Sequence, residues 1–136
     1  VSPAAVVGPP GVLVGIDAVD VERFAGALAR RPGLGDRLFS SGEQAAAAVG
    51  RDRVATLASF FAAKEAVMKA LATGLFSFPL RDVEVVEHEP GLPELRLGPA
   101  ATALASARGV TTWRLLMTVE PPVAVAIALA EAAPTT

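Results

Sequence analysis

At 136 residues, 52% hydrophobic and 19% charged, the chain is long enough for one domain with a real core and too apolar for disorder over most of its length. A net charge of −2 gives no global argument for nucleic acid or an acidic membrane surface. The absence of cysteine excludes disulfides and thiolate metal sites, and the longest apolar runs are too short or too broken by Pro and Gly to span a bilayer.

The chain starts at Val1, as expected of one trimmed or excised from something longer. A basic leader and a cleavage-site pattern are both missing, so no signal peptide is expected and the cytoplasm is the default home. Pro and Gly crowd residues 1–11, which read as a flexible arm, and residues 12–133 read as a single domain. Val12 to Ile16 suits a buried strand ending at Asp17. Val21, Phe24, Ala25 and Leu28 then recur at helical spacing within Ala18 to Arg31, with Pro32-Gly33 as the stop. Asp17 could cap that helix, with Asp20 three residues on.

Ser40 and Glu43 form a stronger capping box, opening a short helix to about Val49. The long helix Val54 to Thr73 follows, ended by Gly74. Asp82 to Glu87 and Glu94 to Leu97 read as strands joined by a turn at His88–Gly91, and Pro99 and Gly109 bracket a helix over Ala100 to Arg108. Trp113 to Val119 and Val123 to Leu129 are two further strands across Glu120-Pro121-Pro122. The tally is about five strands and four helices, an α+β domain.

The long helix carries an anomaly. Val54, Leu57, Phe61, Met68 and Ala72 lie on one apolar stripe at 100° per residue, and Glu65 falls in the middle of it. A carboxylate among core-facing side chains needs a cation or a metal ion. Asp17, at a strand end, is the second carboxylate in a telling place, and carboxylate oxygens suit Mg²⁺ shared with substrate phosphates. Each also has a bland reading: Asp17 as a helix cap, Glu65 as an i,i+4 partner of Lys69. Lys64 and Lys69 are ordinary helical lysines apart from flanking Glu65. Arg23, Arg30 and Arg31 complement the first helix's dipole or form a docking surface for an acidic partner. His88, the only histidine, reads as a surface turn residue.

Gly15-Ile16-Asp17 followed by Arg23, then Phe61-Ala62-Ala63-Lys64-Glu65-Ala66 with Lys69-Ala70, resembles the holo-acyl-carrier-protein synthases, the short class of phosphopantetheinyl transferases. Phe39 to Glu43, Thr73-Gly74, Asp82-Val83-Glu84-Val85 and Gly91-Leu92-Pro93 extend the resemblance over Val12 to Glu131. It implies an antiparallel sheet wrapped around a central helix, in a homotrimer whose sites lie between subunits. It also implies Mg²⁺-dependent transfer of the phosphopantetheine arm of coenzyme A to a serine of an acyl carrier protein, releasing adenosine 3′,5′-bisphosphate. By the same resemblance Asp17 and Glu65 hold the metal and act in catalysis with Lys69. Lys64, Lys69 and Gly74 would meet coenzyme A, and Arg23 and Arg30 the acidic helix of the carrier. Neither nucleic acid nor a membrane is implied as a partner.

Two positions depart from the family pattern. Phe60 stands where the family often has Arg, and Leu116-Met117-Thr118-Val119 replaces its S-[IL]-S-H segment. Two lost polar contacts to charged groups cost about 1.5–3 kcal/mol each. The alternative reading is therefore a catalytically weak or inactive relative, serving as a carrier-binding or structural module of a larger synthase.

Overall fold

The computed structural model describes residues 6–7, 11–72, 78–89 and 91–133. Strands β1 (Val6–Val7), β2 (Val12–Asp20), β5 (Val110–Glu120) and β6 (Val123–Ala132) form one antiparallel sheet in the order β1-β2-β6-β5. Strands β3 (Val83–Glu89) and β4 (Leu92–Leu97) form a separate antiparallel pair. Helices α1 (Val21–Arg30), α2 (Leu34–Leu38), α3 (Ser41–Val49), α4 (Arg53–Ala70) and α5 (Pro99–Ala107) complete the described α+β domain, and a 3-10 turn at Leu80–Asp82 leads into β3. Of the proposed N-terminal arm, Val6–Val7 pairs with Leu13 and Val14 of β2.

Helix α4 is the organising element, as the resemblance implied. It lies across β2 and β6, with α1, α3, β3 and β5 packed around it. Its buried side chains include Leu57, Phe60, Val67 and Met68 together with Ala62, Ala63, Ala66 and Ala70. The facing sheet is made of equally small residues, because β6 buries Ala124, Ala126, Ala128 and Ala130. Gly15 takes this to its limit: a Cβ there would lie 1.9 Å from the Ala66 carbonyl oxygen and 2.6 Å from the Ala70 nitrogen. Only glycine lets β2 approach α4 this closely, and the approach brings the next inward-facing residue, Asp17, up to the helix.

Three boundaries differ from expectation for identifiable reasons. Strand β2 runs on to Asp20, because every residue from Val12 to Asp20 pairs with β6. Asp20, not Asp17, is therefore the N-cap of α1, accepting from the Arg23 amide at 2.9 Å. Helix α2 had no sequence signal: it opens at Gly33, in the left-handed region at φ 88°, without a side-chain cap. His88, expected in a turn, belongs to β3 and lies 3.0 Å from Glu94 on β4.

Other expectations hold. The Ser40–Glu43 capping box is present in both directions, at 2.9 and 3.1 Å. Pro99 occupies the first turn of α5, whose Ala101 amide is capped by Asp82 from outside the helix at 2.6 Å. Among the described residues, no helix is long and apolar enough to cross a membrane.

Candidate active site

Asp17 points from β2 toward α4 and is nearly buried. Freed from capping, its Oδ1 lies 2.8 Å from Lys69 Nζ, which also donates to the Ile16 carbonyl at 3.3 Å. Glu65 precedes Lys69 by four residues, so both share one face of α4. Burial pushes the Glu65 carboxyl up to about 7, the Asp17 charge and a hydrogen bond with Asp17 push the same way, and Lys69 pulls down. Two carboxyl groups thus face each other with one lysine beside them.

These groups open onto a groove of about 570 Å³ lined by Asp17, Glu65, Phe24, Phe61, Arg23 and Arg30 among others. Phe61 stacks on Phe24 with ring centroids 5.2 Å apart, and Phe24 meets Phe39 edge-on at 6.1 Å. The stack gives the groove an apolar wall beside the carboxylates. Arg23 and Arg30, two turns apart on α1, are exposed along it.

The donor set suits a small hard cation. Among the described residues there is no group of three or more His, Cys, Asp or Glu placed to hold a metal ion. Two carboxylates open to a groove match Mg²⁺, which keeps several waters and takes further oxygens from a substrate. Ionising both carboxyl groups would set two negative charges against each other, which a cation held by both would relieve.

Lys64 is in a different place from that implied by the resemblance. One residue from Glu65, it points about 100° away and is 0% exposed, with its Nζ 2.9 Å from Glu43. It also donates to the carbonyls of Leu80, at 3.0 Å, and Val83. A coenzyme A phosphate cannot reach it in this geometry. Burial draws the Lys64 ammonium below the ordinary lysine range, opposed chiefly by Glu43. Glu43 was legible as half of a capping box and as the end of a segment resembling the family's, and nothing in the sequence marks it as the partner of Lys64. Phe60 is core, so no basic group enters the site from that position. Gly74 lies outside the described residues.

Residues 13–128 match the family described as the 4′-phosphopantetheinyl transferase superfamily. The chain belongs to this family. Among its relatives, the holo-[acyl-carrier-protein] synthase of Frankia casuarinae is 44% identical over 120 residues, which is 87% of this chain and 95% of that protein. The corresponding synthase of Streptomyces griseus is 42% identical over 120 residues, with 87% and 96% covered. The fold agrees with solved family structures. A Neisseria meningitidis synthase superposes with a TM-score of 0.79 at 28% identity, covering 87% of this chain and 96% of that one. A coenzyme A complex of the Chronobacterium ammoniagenes enzyme gives 0.78 at 28% identity, covering 90% and 98%.

Proposed function

We propose that this chain transfers the 4′-phosphopantetheine arm of coenzyme A to a serine hydroxyl of an apo acyl carrier protein, with Mg²⁺, and releases adenosine 3′,5′-bisphosphate. The observation that carries the reading is the meeting of Asp17, Glu65 and Lys69 at one end of a groove edged by Arg23 and Arg30. The serine oxygen bonds to the phosphorus bearing the pantetheine arm, and the bond from that phosphorus to the bridging oxygen of adenosine bisphosphate breaks. Asp17 and Glu65 would hold the ion, which when bound neutralises pyrophosphate charge and favours in-line displacement. A carboxylate oxygen of the pair not engaged by the ion accepts the serine proton. Lys69, with its side chain 30% exposed, can turn from Asp17 to donate to a phosphate oxygen.

The two arginines fit an acidic carrier helix lying along α1, where paired charges steer encounter more than they add affinity. The outer face of the four-stranded sheet supports assembly. Ile16, Ile127 and Leu116 pair across β2, β6 and β5, and Ile16 and Leu116 are 49% and 60% exposed. An apolar row of this kind on a sheet suits burial by further copies of the chain, and we take the assembly to be a homotrimer. We place the protein in the cytoplasm, where carrier and coenzyme A would both be available.

The test is the intact mass of an apo carrier protein after incubation with the chain, coenzyme A and Mg²⁺, with Glu65→Gln run beside it. A gain equal to one phosphopantetheine with wild type, and none with the variant, is expected. No gain across several carriers would favour the inactive carrier-binding module.

A further inference from the structure

The transfer reading leaves one pair of buried charges unused. Lys64 and Glu43 are both fully buried, and every polar atom of the pair is engaged. Lys64 spends its three protons on Glu43 Oε1 and on the carbonyls of Leu80 and Val83. Glu43 Oε1 also accepts from the Ser40 amide at 2.9 Å, and its Oε2 from the Val85 amide at 2.8 Å. The Ser40 hydroxyl carries the network on to Glu84 at 2.5 Å.

A buried ion pair is a poor choice for stability alone, since apolar residues of similar volume often serve as well or better. Such a pair does set geometry, because few arrangements satisfy all its partners. Helix α4 needs that service. Its eleven buried residues, five of them alanine, lie on nearly every side, and the less buried strip that carries Phe61, Glu65 and Lys69 is narrow, so the apolar pattern alone determines its rotation weakly. Only a narrow range of rotations brings Lys64 Nζ to Glu43 and to the carbonyls of Leu80, in the 3-10 turn, and Val83, at the start of β3. Consecutive helical residues are separated by 100°, so setting Lys64 also sets Glu65, with Lys69 on the same face.

We propose that Lys64 and Glu43 are a positioning pair. They set the rotation of α4 so that Glu65 and Lys69 face Asp17, and neither touches coenzyme A or the carrier. The proposal rests on the transfer reading for its catalytic arm, and on metal binding for an arm independent of activity.

The experiment compares wild type with Lys64→Met, Glu43→Gln and the double variant, at a temperature well below each unfolding midpoint. Manganese binding is read by electron paramagnetic resonance, and kcat and the coenzyme A KM are measured at saturating Mg²⁺. Both single variants are expected to weaken manganese binding about tenfold or more and to lower kcat, with KM for coenzyme A unchanged. The double variant is expected to be no worse than Lys64→Met, because the two residues act as one unit. A rise in KM confined to Lys64→Met would make Lys64 a phosphate ligand and overturn the proposal. So would folded variants with unaltered manganese binding and kcat. Should Lys64→Met fail to fold, Glu43→Gln, which keeps one acceptor oxygen, decides the matter alone. A wild-type chain that transfers nothing would sink the transfer reading, and the manganese arm would still judge the pair.

Discussion

Lys69 Nζ lies 2.8 Å from Asp17 Oδ1, joining a strand residue to a helix residue 52 positions later. This contact gives Asp17 a counter-ion, whereas Glu65, one turn away on the same helix, is pushed up to about 7. Burial first, and the Asp17 charge second, make the site resist a second negative charge, and its own lysine offsets this only in part.

That resistance makes stability depend on pH. Glu65 has a folded value of about 7 against 4.5 when unperturbed. Between those values the native state keeps a proton that the unfolded chain has released, so stability falls as pH rises from about 4.5 to about 7. Discounted for the solvent that reaches a half-buried carboxyl, the loss is about 1–2 kcal/mol. Thermal unfolding without metal should show a higher midpoint at the acid end of this window. Glu65→Gln should flatten that slope, and an unaltered slope would show that Glu65 is not its source.

Asp17→Asn should leave the fold intact and remove most activity. Its side chain keeps the shape and loses the charge that holds Lys69 and the proposed ion. Transfer to a carrier serine should drop by more than about a hundredfold, with a midpoint within a few degrees of wild type. Near-normal turnover would place the metal elsewhere.

Gly15→Ala tests whether the approach of strand to helix controls the site. The new methyl would collide with backbone, which cannot swing aside as a side chain can. A destabilisation of about 3 kcal/mol, at the upper end for overpacking, is expected in chemical denaturation. Activity should fall even where the variant is still folded, since Asp17 must move with β2.

Leu116→Glu tests the outer sheet face. Leu116 is exposed, so a monomer should tolerate the change within about 0.5 kcal/mol. An assembly that buries this row should dissociate, read as a loss of mass by light scattering. Retention of the wild-type mass would exclude this face as the interface.

Much of the fold was legible where one local rule acted alone. Ser40 and Glu43 have the spacing of a capping box, and Pro99 and Gly109 bracket a helix because each suits only one end. Legibility failed where two rules competed. Asp17 and Asp20 are both chemically able to cap α1, and only the pairing of β2 with β6 decides between them. Lys64 and Glu65 are neighbours on a helix apolar on nearly every side, so periodicity alone could not say which charge faces the groove. Glu65 stood out because it interrupted an apolar stripe. Glu43 did not, because its most distant partner comes from a strand 42 positions later.

Glu43 closes the first turn of α3, receives the Val85 amide of β3 and holds Lys64 of α4. None of these three elements can open alone without stranding a charge or an amide in the core, so α3 cannot fray away from α4 as a surface helix ordinarily would. In hydrogen exchange, the Ser40 and Val85 amides should exchange together, at the rate set by global unfolding. A short helix at the surface would then be as slow to open as the centre of the molecule.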